Sequence, residues 1–175
     1  MNDIILLKQG EIVLKGLNKR SFEMKLLSNI RRRLGRFGEF NVYSVQSTIY
    51  VEPMDGSCDM DGAYEAAKDI FGITSVTRAA GCEKDKDAIL KTAINYLGEE
   101  MRLAKSFKVE SKRADKSFPM TSIQLSQYVG GELSEAFPDT AVDVHNPELT
   151  VHIEVRDYAA YVHAPAEAGA GGMPV

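Results

Sequence analysis

Residues 107–120 read FKVESKRADKSFPM, and they combine an alternating pattern with a group of cations. Phe107, Val109 and Ser111 alternate with charged residues, which predicts a strand with one buried face. The alternation then stops, and a short loop with further cations leads to Phe118. The stretch therefore predicts a strand that ends in a positively charged loop.

The residues after this loop predict a helix. Thr121 and Gln124 match the S/T-x-x-E/Q capping box, which marks a helix N-terminus. An apolar stripe continues the helix through Leu125, Val129, Leu133 and Phe137. Alternation in residues 151–155 then predicts a half-buried strand, and residues 160–163 return as its hairpin partner.

Apolar spacing in the preceding residues extends this pattern toward the N-terminus. It predicts strands over 4–7, 40–45, 48–51 and 73–79, and helices over 18–34, 63–71 and 87–104. The stripe of the helix over 87–104 is predicted as Leu90, Ile94, Leu97 and Met101. The order is β-α-β-β followed by α-β-α-β-α-β-β, so we expect an α+β fold with helices on one face of partly antiparallel sheets.

Composition excludes several classes of protein. The chain has 175 residues, of which 44% are hydrophobic and 26% charged, as expected for one or two small globular domains. It has no apolar run long enough for a transmembrane helix, and its N-terminus does not resemble a signal peptide. Cys58 and Cys82 form no CxxC motif, which favours reduced thiols in a cytoplasmic protein.

Charge is unevenly distributed along the chain. The net charge is −4, but residues 1–36 hold nine Lys and Arg against three acidic residues, a net +6. The remaining residues carry 12 cations and 22 anions, a net −10. A basic segment in an acidic protein is typical of a surface that meets a polyanion.

The candidate binding residues form two groups. Around the first long helix they are Lys15, Lys19, Arg20, Arg31, Arg32, Arg33 and Arg36, and around the quoted loop they are Lys108, Lys112, Arg113, Lys116 and Phe118. Cations at a helix C-terminus also suit its dipole, and loop cations also serve solubility. Phe118 can stack on a base, or it can pack on the helix that begins at Thr121.

No catalytic or metal site is predicted. His145, His152 and His163 are dispersed, and we interpret His152 as a solvated residue on the polar face of a strand. No nucleophile motif, P-loop or dinucleotide fingerprint occurs. Gly130-Gly131 costs a helix about 1 kcal/mol per glycine, which points to close approach of a backbone or ligand or to local weakness.

Four stretches resemble one family. KQGEIVLKGLNKRSFE (8–23) and FKVESKRADKSFP (107–119) resemble the opening and THUMP motifs of the tRNA 4-thiouridine synthetases, which are sulfurtransferases also linked to thiamine biosynthesis. VHIEVRDYAAYV (151–162) resembles the closing hairpin of their THUMP domain, and GAGGMPV (169–175) resembles the linker that follows.

The resemblance implies a domain order and a function. It implies a ferredoxin-like domain over 1–57, a THUMP domain over 58–165 and the start of a linker over 166–175. The two domains would bind tRNA at its acceptor stem and 3′ CCA end. A separate domain, expected to be missing from this chain, would use ATP and Mg to make 4-thiouridine at position 8. The sulfur would come from a cysteine persulfide supplied by a cysteine desulfurase.

This interpretation places both groups of cations in one groove for the RNA backbone, and it expects the chain alone not to be an enzyme. It leaves a homodimer and a following rhodanese domain open. One alternative is a ferredoxin-like module for a protein or small ligand, with an incidental basic face. Another is a self-contained RNA-modifying enzyme, which the lack of visible catalytic chemistry disfavours.

Overall fold

The computed structural model describes residues 2–10 and 19–170. The helices are α1 (Lys19–Leu34), α2 (Met60–Ala67), α3 (Lys86–Leu103) and α4 (Ser122–Ala136), and a 3₁₀ turn follows α1 at Gly35–Phe37. The strands are β1 (Asn2–Gln9), β2 (Phe40–Val45), β3 (Thr48–Pro53), β4 (Ile73–Cys82), β5 (Ser106–Arg113), β6 (Ala141–Val142), β7 (Leu149–Val155), β8 (Ala160–His163) and β9 (Glu167–Ala168). This order confirms the predicted succession and adds the short strands β6 and β9.

The chain divides into two compact units, and the division falls within β4 between Arg78 and Ala79. Of the described residues, the N-terminal unit comprises 3–10, 19–78 and 166–170. The C-terminal unit comprises residues 79–165 together with Asn2. No helix in the described residues is both long and apolar enough to cross a membrane.

In the N-terminal unit, α1 covers a small antiparallel sheet in which β3 pairs with both β1 and β2. Leu26, Ile30 and Leu34 of α1 are fully or almost fully buried, as their spacing of four residues predicts. Burying each such side chain stabilises the fold by about 1.5–3 kcal/mol. The turn between β2 and β3 has positive φ at Gln46 (49°) and Ser47 (70°), the conformation of a two-residue hairpin turn.

The helix α2 belongs to the N-terminal unit. Ala63, Ala67 and Ile70 are buried in the same core as Leu26 and Ile30 of α1. The compact units therefore divide later in the chain than the domain boundary predicted at 57/58. Residues 54–58 connect β3 to the N-cap of α2 at Asp59.

The short strand β9 lies in the segment predicted to begin a linker. It pairs with β4 of the N-terminal unit, with Glu167 opposite Val76 and Ala168 opposite Ser75. The Glu167 carboxylate accepts a hydrogen bond from the Tyr64 hydroxyl (2.8 Å) and forms an ion pair with Lys68 (2.5 Å). Residues 167–168 are therefore part of the fold, although their composition resembles a linker.

In the C-terminal unit, the strands lie in the order β4-β8-β7-β5-β6. β5 runs parallel to β7 and β6, whereas β8 is antiparallel to β7 and β4. Parallel neighbours need a crossover connection, and α4 provides the one between β5 and β7. Residues of α3 and α4 share one core with Phe107, Val151 and Ile153 of the sheet.

The predicted stripe of α3 is confirmed at Leu97 and Met101, but its first half is shifted by one residue. Ile89, Ala93, Leu97 and Met101 are buried, whereas Leu90 and Ile94 are only partly buried against the same core. The predicted and the observed residues both have helical spacing, and the sequence pattern favours Leu90 and Ile94 because their side chains are large and apolar. The small Ala93 lies at the centre of the buried stripe.

Candidate nucleic-acid interface

The two faces of β5 differ in their neighbours. Phe107 is fully buried, and the Ser111 hydroxyl lies 2.8 Å from that of Ser126 on α4, so this face packs on the helices. Lys108 and Lys112 alternate with those residues and lie on the opposite face. Lys108 forms an ion pair with Glu110 at 2.6 Å, whereas Lys112 is exposed and forms no ion pair among the described residues. Lys112 is therefore the cation of β5 whose charge is available to a ligand.

Arg113 ends β5 and contacts the loop that follows. Its Nη1 donates to the carbonyl oxygen of Phe118 at 3.1 Å and to that of Lys116 at 3.4 Å. The sequence predicts a phosphate contact for Arg113, and that role stays a prediction. The structure gives the guanidinium a second role, because it supports the loop backbone.

Phe118 is an internal residue. Its ring is 5% exposed and belongs to the core that includes Leu125 of α4 and Ile89 of α3. Of the two alternatives for Phe118, packing against the helix is the one observed. A buried ring offers no face to a base, so stacking on RNA would require the loop to open.

The start of α4 has the predicted capping box. The Thr121 hydroxyl accepts from the Gln124 backbone N–H at 3.1 Å, and the Gln124 side chain accepts from the Thr121 N–H at 2.9 Å. These bonds fix the end of the loop that carries Lys116, whose side chain is exposed. Farther along α4, no backbone of the described residues approaches Gly130-Gly131 closely. A Cβ on Gly130 would meet only Val109 at 3.8 Å, and one on Gly131 would meet nothing within 4 Å.

The cations of α1 differ in the contacts that their side chains make within the protein. Arg31 donates to the carbonyl oxygen of Val42 at 2.8 Å, and the Arg36 guanidinium lies 5.0 Å from the ring centre of Phe37. Arg32 is exposed and donates to the Asn29 side chain at 2.7 Å, and Arg33 is exposed. Arg32 and Arg33 can therefore reach a ligand without loss of a contact to the sheet.

Two further predicted cations, Lys19 and Arg20, lie at the start of α1. Arg20 is exposed, and Lys19 is the first residue of the helix. Lys15 lies outside the described residues. The α1 cations belong to the N-terminal unit and the β5 cations to the C-terminal unit.

One polar cluster was missed by the sequence interpretation. His152 is half-buried and stacks on His163 with ring centres 5.1 Å apart, so it is not the solvated residue predicted. His163 Nε2 lies 2.9 Å from a carboxylate oxygen of Glu154, and Arg156 contacts the other oxygen at 2.6 Å. The register of the hairpin could have revealed this contact, because His152 on β7 lies opposite His163 on β8.

The cluster has a consequence for stability in acid. Burial alone raises the pKa of Glu154, but the hydrogen bond from His163 and the charge of Arg156 outweigh it and lower the pKa to about 2. The ordinary value is 4.5, so Glu154 stabilises the fold above pH 4.5 and loses that contribution as the pH falls toward 2.

We therefore expect a Glu154→Gln variant to lose part of the pH dependence of unfolding. Between about pH 5 and pH 3, the free energy of unfolding of the original chain should fall by roughly 1–2 kcal/mol more than that of the variant. Urea unfolding at both pH values measures this difference. Glu132→Gln changes an exposed carboxyl and is the control. Equal pH dependence in the original chain and Glu154→Gln would contradict this role.

The described residues contain no group of three or more His, Cys, Asp or Glu side chains arranged to hold a metal ion. Within this part of the chain, the features suited to a ligand are the exposed cations of α1 and those of β5 and its loop. Exposed Lys and Arg suit phosphate groups.

Residues 4–77 match the family model of the ThiI ferredoxin-like domain, and residues 83–163 match that of the THUMP domain. The chain therefore carries a ThiI-type ferredoxin-like domain followed by a THUMP domain. The matches confirm the resemblance to the N-terminal part of the tRNA 4-thiouridine synthetases.

The ThiI-type relatives extend beyond this chain. It is 40% identical over 177 residues to the probable tRNA sulfurtransferase of Alkaliphilus metalliredigens (strain QYMF), an alignment that covers 100% of this chain and 44% of the relative. The chain therefore spans less than half the length of that relative.

Two solved structures show the same fold. A 4-thiouridine synthetase, crystallised in complex with RNA and with bound ATP, is 25% identical with a TM-score of 0.85 and covers 100% of this chain and 44% of its own. The protein PH1313 from Pyrococcus horikoshii Ot3 is 26% identical with a TM-score of 0.82 and covers 99% of this chain and 57% of its own.

Proposed function

We propose that this chain is the tRNA-binding part of a tRNA sulfurtransferase and that it positions the acceptor end of tRNA. The observation that carries the proposal is the match of the whole chain to a 4-thiouridine synthetase solved with RNA. A THUMP domain over residues 83–163 supports tRNA as the class of RNA.

The exposed cations give this proposal a physical basis. Lys112 and Lys116 in one unit, and Arg32 and Arg33 in the other, are exposed charges that can neutralise phosphates. Each phosphate contact releases counterions, so the logarithm of affinity falls with the logarithm of salt by roughly 0.7–0.9 per contact. Such contacts provide affinity and orientation but no sequence discrimination.

The chemistry of the whole protein is part of the same proposal. We propose that it makes 4-thiouridine at position 8 of tRNA in an ATP- and Mg-dependent reaction, in the cytoplasm. Sulfur would come from a cysteine persulfide supplied by a cysteine desulfurase. A relative named as a tRNA sulfurtransferase and a structural neighbour with bound ATP support this proposal. Within it, the residues of this chain bind and orient the RNA.

The competing function is a ferredoxin-like module for a protein or small ligand, on which the basic surface is incidental. The two functions differ in what they require of the 3′ end of tRNA. A domain that positions the acceptor end should lose affinity when the CCA nucleotides are removed. An incidental basic surface should bind both tRNAs alike, because removing three nucleotides leaves most of the phosphates in place.

A further inference from the structure

The loop between β5 and α4 (residues 114–121), here called the β5–α4 loop, is held by hydrogen bonds and an ion pair of charged side chains. Arg113 donates to two of its carbonyl oxygens, those of Lys116 and Phe118. The Phe118 N–H donates to the carbonyl oxygen of Asp115 at 3.2 Å, and the Phe118 ring is buried. The loop is therefore fixed at its end by a buried ring and across its width by a guanidinium.

Asp115 and Lys84 form the other half of this network. One carboxylate oxygen of Asp115 accepts from the Ser117 N–H (2.9 Å) and hydroxyl (2.6 Å), which closes a tight turn. The other oxygen pairs with Lys84 Nζ at 2.6 Å, and Nζ also donates to the carbonyl oxygen of Asp157 at 2.5 Å. Lys84 thus ties the β5–α4 loop to the turn between β7 and β8.

The network decides which charges face outward. The hydrogen bond from Lys84, followed by those from Ser117, lowers the pKa of Asp115 to about 2, so this carboxylate is ionised and paired at neutral pH. Lys116 is exposed and forms no ion pair among the described residues. Of the cations at the loop, Lys112 and Lys116 remain available, whereas Arg113 and Lys84 are occupied.

We propose that Arg113, Lys84 and Asp115 are positioning residues that preform the β5–α4 loop for RNA, and that Lys112 and Lys116 make the phosphate contacts. This inference rests on the proposed function and deepens it, because it separates the residues that hold the loop from those that touch the ligand. A loop already ordered in its bound conformation avoids the entropic cost of ordering upon binding. An acidic residue therefore contributes to binding a polyanion.

The decisive variant is Asp115→Asn. It removes a negative charge, so electrostatics alone predicts tighter binding to RNA, and it would release Lys84 for a phosphate. A positioning role predicts weaker binding to RNA, because the ion pair with Lys84 that holds the loop is lost. We expect roughly fivefold weaker binding to an acceptor-stem RNA with a single-stranded 3′ end. Asp139→Asn removes an exposed negative charge outside the network and is the matched control; it should bind as tightly as the original chain or slightly more tightly.

Arg113→Lys provides a second test that keeps the charge. Both carbonyl contacts come from the terminal Nη1, and the ammonium of a lysine ends one bond short of that position, so backbone amides of the β5–α4 loop should exchange hydrogen faster in the RNA-free protein. Lys112→Ala and Lys116→Ala should leave this exchange unchanged and should each lower the log–log salt slope by roughly 0.7–0.9.

The outcomes separate this inference from the proposed function. If the original chain binds the RNA and Asp115→Asn binds it as tightly or more tightly, the positioning role is overturned and tRNA binding stands. Unchanged amide exchange in Arg113→Lys would overturn the role of Arg113 in the same way. If the original chain has no affinity for the RNA, the proposed function and this inference both fail.

Discussion

Replacing Phe118 with alanine is expected to lower the free energy of unfolding by about 3–5 kcal/mol. The ring is 5% exposed in a core shared with α3 and α4, so its removal leaves a cavity that close-packed neighbours fill only in part. Chemical unfolding followed by circular dichroism measures the loss. Phe118→Leu keeps an apolar side chain and should cost less than the alanine variant.

The same variants decide between packing and base stacking. A ring that served only as a stacking surface would leave the free energy of unfolding nearly unchanged when truncated, and RNA affinity would fall by the equivalent of about 1–3 kcal/mol. A stable Phe118→Ala variant with weakened RNA binding would therefore contradict the internal role. A destabilised one would show that Phe118 acts on RNA only through the loop that it anchors.

Replacing Arg32 and Arg33 together with alanine should give the largest loss of RNA affinity among the α1 variants that leave the sheet contacts intact. Both side chains are exposed, and neither bonds a described residue of the sheet as Arg31 does through Val42. Two lost phosphate contacts would reduce the log–log salt slope by roughly 1.4–1.8 and weaken binding by about tenfold or more at low salt. Titrations of acceptor-stem RNA at several salt concentrations measure both quantities.

The matched control is Lys91→Ala with Lys105→Ala, which removes the same charge from exposed positions in and just after α3. If Arg32 and Arg33 of α1 contact RNA, this control should keep nearly the full salt slope. Equal losses in the two double variants would mean that only net charge matters. That outcome would remove the α1 cluster from the proposed interface.

The sequence predicts the elements of this fold because its local signals agree with its packing. The capping box at Thr121 and Gln124 forms as predicted, and the stripe of Leu26, Ile30 and Leu34 is buried. Alternation in residues 107–112 identifies β5 for the same reason, since one face of a strand must be apolar to pack on helices. A strand as short as β6 shows no alternation, because only its pairing with a neighbouring strand defines it.

The contacts of the candidate site were less predictable because they depend on which residues the fold brings together. Arg113 and Lys112 are adjacent in sequence, but they lie on opposite faces of β5 and have different neighbours. The tie between Lys84 and Asp115 joins positions 31 residues apart. The stack of His152 on His163 likewise depends on hairpin register, which residue types alone do not reveal.

The central claim is that this chain recognises the acceptor end of tRNA, and the most direct test compares one tRNA with and without its CCA end. Dissociation constants are measured for the unaltered chain at moderate salt, where non-specific phosphate contacts are weakened. We expect removal of CCA to weaken binding by roughly tenfold or more, which corresponds to about 1.4 kcal/mol. Equal affinity for the two RNAs would contradict the claim and favour an incidental basic surface.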